Sequence, residues 1–187
     1  MKKFFAMLLA FAMMFSLAAC GGTTAEPTTA PAETVQNLTG TMEELVNQVI
    51  ANQPVEFMGG IMPVDLADTS EDGLWAIKTF TGLENAEQIS DVAVYEPMMG
   101  SIPFSLVMVR ANTEDTKALA ETMKANIDPR KWICVEADDL KVAAFGDVVM
   151  LIMVGSDTGM TAQSFVDAFT KVCASQFEGA QPEFVLE

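Results

Sequence analysis

Histidine does not occur anywhere in these 187 residues. Its absence removes the side chain that most often serves as a general base near neutral pH, and with it the Ser–His and Cys–His nucleophile pairs and nearly all zinc sites. Basic side chains are scarce as well, ten against 26 acidic ones, for a formal net charge of −16. A chain so charged is repelled by phosphate backbones and anionic headgroups, which excludes nucleic acid as a partner and electrostatic pairing as a route to a lipid surface. No serine is followed at the fourth position by lysine, no glycine-rich phosphate loop is present, and no serine stands in a nucleophile elbow. Most hydrolase and transferase classes are thereby left without their machinery, and neither a cofactor nor a metal is expected.

What is present begins with an address. Lys2 and Lys3 precede an uncharged apolar run from Phe4 to Leu17, the charged-then-apolar order of a secretory signal. The run is shorter than the roughly 20 residues of a membrane span. Leu17-Ala18-Ala19-Cys20 resembles the lipobox of bacterial lipoproteins. That resemblance implies a signal peptide over residues 1–19 and a Cys20 alkylated with a diacylglycerol of palmitate-class chains. Two acyl chains on one residue suffice for stable anchoring, which places the chain on the extracytoplasmic face of the cell membrane. The alternative is an ordinary signal peptide whose cysteine is incidental. Residues 20–40, rich in Thr, Ala, Pro and Gly and without aromatics, lack the apolar surface to offset their ordering entropy and read as a disordered tether. Losing Lys2 and Lys3 with the signal leaves the mature chain still more acidic.

Residues 41–187 are the length of one domain. Thr41-Met42-Glu43-Glu44 is a capping box, followed by a stripe of Met42, Leu45, Val46, Val49 and Ile50. After a loop with Gly59, Gly60 and Pro63, Ser70 opens a second helix carrying Leu74, Trp75, Ile77 and Phe80, which Gly82 ends. "ISDVAVYEP" and "IPFSLVMVRA" read as a hairpin, and Thr113-Glu114-Asp115 caps a third helix reaching Asn126. "WICVEA", "LKVAAF" and "VVMLIMV" follow as strands, with Gly146-Asp147 turning between the last two. Val148–Val154, apolar without alternation, suits a central strand covered on both faces. A last helix starts near Thr161 with Phe165, Val166, Phe169, Val172 and Cys173 on one side. The expected fold is α+β, one antiparallel or mixed sheet of about four to five strands with helices packed against it. The succession "FSLVMVRANTEDTKALAETM" and "KVAAFGDVVMLIMVGSD" resembles a family of small lipoproteins of Gram-positive anaerobes that is known only as a domain of unknown function. The resemblance spans Ser90 to Phe177 and implies location and fold, not activity.

Three groups of residues are candidates for function. Asp157-Thr158-Gly159 has the tripeptide of aspartic proteases, whose two carboxylates share one proton; with a single copy, Asp157 is a weak catalytic candidate. The acidic stretches Pro63–Gly73 and Val135–Asp139 match no EF-hand spacing and read as helix-terminal charge and solvated turn. Arg130 and Lys131 read as solvated turn residues. Trp75, Tyr95 and Trp132 are the aromatics suited to an exposed contact surface. Met98 and Met99 stand together at a hairpin tip. Adjacent apolar residues are more often buried than displayed, so the tip is expected to fold back over the helix of Trp75, with display to an apolar partner as the alternative. Cys134 and Cys173 lie on apolar positions and are expected as buried, reduced thiols, a disulfide between them being the alternative. The function read from all this is a non-enzymatic binding or interaction module at the cell surface for a protein or small ligand. The competing readings are a carboxylate-dependent hydrolase using Asp157 and a structural envelope component.

Overall fold

The computed structural model describes residues 36–187; the signal, Cys20 and most of the tether lie outside them. The elements in chain order are α1 (Met42–Asn52), β1 (Gly59–Met62), α2 (Glu71–Thr81), β2 (Ile89–Pro97), β3 (Phe104–Ala111), α3 (Thr116–Asn126), β4 (Asp139–Phe145), β5 (Val148–Val154), α4 (Ala162–Gln176) and β6 (Phe184–Leu186). They form an α+β fold around one open sheet of six strands in the order β1-β2-β3-β5-β4-β6, every pairing antiparallel.

The sheet is covered on both faces, and the period-two alternation of its strands divides the core in two. Phe104, Leu106 and Met108 of β3 and Val148, Met150, Ile152 and Val154 of β5 face the layer of α1 and α4. Val107 and Val109 of β3 and Val149, Leu151 and Met153 of β5 face the layer of α2 and α3. β5 is buried at all seven positions, as its unbroken apolar run requires. Helix ends follow their local chemistry. Thr41 and Glu44 complete the reciprocal capping box of α1, Ser70 caps α2, and Gly82 closes it in the left-handed conformation at φ 75°. Asp115 caps α3 and Thr161 caps α4.

Three expectations are corrected. The sheet has six strands rather than four or five, because β1 and β6 are edge strands of four and three residues, too short to show a period in sequence. β1 lies in what reads as a glycine loop, where Gly59 is needed: a Cβ there would come within 2.7 Å of the Tyr95 ring and 2.9 Å of the Glu96 carbonyl. "WICVEA" is not a strand. Cys134 sits at φ 63°, in the left-handed region that ends an extended run, and the segment bonds to loops instead. Ile133 N–H donates to the Gly100 carbonyl and Ala137 N–H to that of Pro129.

The packed body begins ahead of the Thr41 cap. Leu38 is buried in the core of the α1/α4 layer, and Gln176 at the end of α4 bonds the Thr39 main chain through both ends of its amide. The Arg110 guanidinium joins the Leu38 and Gly40 carbonyls at 3.0 and 2.8 Å to the Asp147 carboxylate at 2.7 Å. Among the described residues no helix is long and apolar enough to cross a membrane.

Candidate functional site

The site grows from the end of β2. Pairing with β1 continues one residue past the strand, where Met98 N–H donates to the Met58 carbonyl at 2.9 Å. The turn then closes through Ile102 N–H on the Met99 carbonyl, and Gly100 accepts from Ile133 N–H at 3.0 Å. Main-chain bonds thus draw three separated segments together. Each presents an apolar side chain to solvent: Met58 at 78 %, Met98 at 75 %, Met99 at 62 % and Ile133 at 74 % exposure. The expected burial of Met98 and Met99 beneath the helix of Trp75 is therefore corrected. Main-chain pairing to Met58 fixes the direction of the tip, and Trp75 is itself exposed on α2.

Directly beneath the tip is a buried ion pair. Lys131 Nζ lies 2.6 Å from Glu96 Oε1, with the two side chains only 7 % and 13 % exposed. The ammonium donates to Ser105 Oγ at 3.1 Å and sits 4.9 Å from the Phe80 ring centre and 5.3 Å from that of Trp132. Burial lowers the Lys131 pKa from its usual value, opposed by the Glu96 carboxylate. A buried charge persists only when paired and hydrogen-bonded, and this one has a carboxylate, a hydroxyl and two aromatic faces. The reading of Lys131 as a solvated turn residue is corrected; Arg130 is exposed, 3.9 Å from Glu136. The pair ties Lys131 to β2 next to Pro97, and so holds Ile133 against the tip.

Ser105 beside a lysine resembles a Ser–Lys nucleophile pair, but the hydroxyl is fully buried and the amine is engaged by Glu96. It reaches no substrate. Trp132 is half-buried with an indole N–H that has no protein partner. Tyr95 is half-buried, its ring edge-on to Phe104 at 6.4 Å. Of the three aromatics proposed for display, only Trp75 is exposed, on α2.

Alongside the tip runs a cleft of about 600 Å³, lined by Gln53, Glu56, Phe57, Ser101, Ile102 and the Asp157–Met160 turn among others. It opens between the C-terminal end of α1 and the N-terminal end of α4. Asp157 is exposed in a single helical turn, Ser156–Thr158, after β5. No second aspartate faces it across the cleft, only Glu56, so the shared-proton arrangement of an aspartic protease is not built. Three acidic residues of the two acidic stretches are engaged locally. Hydrogen bonding from the Ser70 side chain, and then from its N–H, holds the Asp68 carboxyl below the usual range. Asp138 accepts from the Ser156 N–H and hydroxyl, with the same effect, and Asp139 accepts from Ala162 N–H at the start of α4. Among the described residues no three His, Cys, Asp or Glu side chains converge as metal ligands do.

Among the described residues the two cysteines, Cys134 and Cys173, are free. Cys173 is buried in α4, and burial pushes its thiol up to about 12. Cys134 is exposed, which corrects its placement in the core: the left-handed turn at that residue lifts it out with Ile133. Sequence reasoning singled out Met98 and Met99, misread Lys131 and missed Met58, Ile133 and Glu96, whose relation depends on pairings distant in the chain. No family model, no curated protein and no solved structure matches this chain.

Proposed function

We propose that this chain is a lipid-anchored extracytoplasmic binding module, not an enzyme, whose contact surface is the apolar tip. The observation that carries the proposal is the gathering of Met58, Met98, Met99 and Ile133 into one exposed cluster held by main-chain bonds. Clustered apolar exposure mirrors interaction sites, whereas scattered apolar residues need no explanation. Methionine is suited to such a surface because its unbranched thioether adapts to the shape of a partner. The anchor rests on Lys2, Lys3, the run to Leu17 and Cys20; the resemblance over Ser90–Phe177 agrees with that address.

Replacing Met98→Ser together with Met99→Ser tests the reading. Both side chains are exposed, so folding stability should change by less than about 1 kcal/mol, while a partner that co-purifies from native membranes with the wild-type chain is lost. A large fall in the denaturation midpoint, or capture that persists in the double variant, would refute the tip as the contact surface.

A further inference from the structure

We propose that Met58, Met98 and Met99 form a reversible oxidation site, at which conversion of the thioethers to sulfoxides turns the tip from apolar to polar and releases its partner. The inference rests on the reading of the tip as a contact surface and adds its regulation. Solvent access sorts the methionines of the described residues sharply. Met58, Met98 and Met99 are 78, 75 and 62 % exposed and Met62 is 37 % exposed, whereas Met42, Met108, Met123, Met150 and Met153 are wholly enclosed in the core. A small oxidant in water therefore meets the tip sulfurs first. The step needs only a peroxide: a sulfur lone pair attacks one peroxide oxygen, and the O–O bond breaks as the S–O bond forms. Sulfur is oxidised by two electrons, and the other oxygen leaves as hydroxide, takes up the first one's proton and becomes water.

The effect of the change follows from where these side chains stand. Main-chain groups hold the tip: Met98 N–H on the Met58 carbonyl, Ile102 N–H on the Met99 carbonyl and Ile133 N–H on the Gly100 carbonyl. None of these bonds uses a sulfur, so oxidation leaves the turn in place. A sulfoxide oxygen on an exposed side chain is solvated by water and costs the folded state little, whereas the same oxygen on Met108 or Met150 would be an unsatisfied acceptor in the core. What is lost is the apolar character of the contact surface. Of the tip's exposed apolar side chains only Ile133 carries no sulfur, so one chemistry reaches nearly the whole patch. Leucine at these positions would offer a similar apolar surface with no response to oxidant; the thioether is what adds one. A thiol-dependent reductase reverses the step, taking the oxygen off as water while two thiols become a disulfide.

The test uses the full-length chain with Cys20→Ala, so that no acyl group masks the tip, and a phenyl-bearing matrix as the apolar probe. The exposed Cys134 thiol is first capped with iodoacetamide. Dilute hydrogen peroxide should then oxidise Met58, Met98 and Met99 at least about tenfold faster than Met108 and Met150, read by peptide mapping, with the urea denaturation midpoint unchanged. Retention on the matrix should fall at least to that of untreated Met98→Ser with Met99→Ser, and should return when methionine sulfoxide reductases of both stereospecificities and dithiothreitol are added. Met58→Leu with Met98→Leu and Met99→Leu should start at the retention of the chain with its native tip and fall less under peroxide, since both chains share every other methionine. Core methionines oxidised as fast as the tip, a lowered midpoint, or an equal fall in the leucine variant overturns the proposal. Retention unchanged by peroxide but reduced by the serine changes overturns it while leaving the tip as a contact surface. Retention indifferent to the serine changes overturns both.

Discussion

Lys131 has one of only ten basic side chains in the protein and is almost wholly enclosed. Its ammonium holds together Glu96 from β2, Ser105 from β3 and the aromatic faces of Phe80 and Trp132. Taking one member of such a pair away strands the other charge in a poorly solvated place. Lys131→Met should therefore destabilise the domain by about 3–5 kcal/mol, measured by urea denaturation. Adding Glu96→Leu should recover most of the loss, since an apolar pair of similar volume is often as stable as a buried ion pair. A double variant no more stable than Lys131→Met would show that the lysine stem, not its charge, is what the site requires. None of this was legible in "DPRKW". An Asp-Pro pair followed by two bases has the composition of a solvated turn, and burial arises only because Glu96 and Ser105, far away in the chain, come together on one face of the sheet. Met98 and Met99 were legible as an anomaly, two apolar residues at a turn, but their exposure is set by the main-chain bond to Met58.

At the scale of elements, legibility follows length and the completeness of local signals. α1, α2 and α4 show their caps and stripes in sequence, and β5 is apolar at all seven positions, so each could be placed directly. β1 and β6 offer four and three residues, fewer than a periodicity needs, and the 132–137 segment has strand composition undone by one left-handed residue, Cys134. β6 is the weakest element by the same measure, pairing with only Val142, Ala143 and Ala144 of β4. It is held at its end by Glu187, whose carboxylate meets Lys141 at 2.8 Å and whose main-chain oxygen accepts from Lys124. The hydrogen bond and charge of Lys141, aided by Lys124, lower the Glu187 pKa below its usual 4.5. A carboxylate depressed in the folded state stabilises that state above its unfolded value, and the contribution is lost as pH falls through the folded one. Hydrogen exchange at Phe184–Leu186 should accordingly speed up relative to β5 as pH is lowered below about 4.5, once corrected for intrinsic rates. Glu187→Gln should show the faster exchange already at neutral pH; equal protection in the variant would discount the clasp.

For the whole molecule, the two poles of the sheet have different neighbours. At one pole Leu38 and Gly40 lie on Arg110, at the end of β3, and beside the β4–β5 turn at Asp147. At the other, Phe104 begins β3 next to the Met98–Ser101 tip. β3 has eight residues, so the poles stand roughly 25 Å apart. The chain arriving from the proposed anchor thus joins the body at the end away from the contact surface. With Cys20→Ala the protein should leave the membrane fraction for the soluble one, because the acyl group is the proposed attachment and an acidic surface gives no second hold on anionic lipid. Retention in the pellet after a salt wash would place the attachment elsewhere.

The separation of the poles also has a mechanical meaning. If a partner gripped at the tip is pulled away from the proposed anchor, the load enters at the Arg110 clamp on β3 and leaves at the ends of β1 and β2, crossing the antiparallel β2–β3 ladder on the way. In that direction the β2–β3 ladder is sheared, with many hydrogen bonds resisting at once. A strand peeled from an edge gives up its bonds one after another. With the proposed anchor and contact surface, tension would thus run along the strands and not across them.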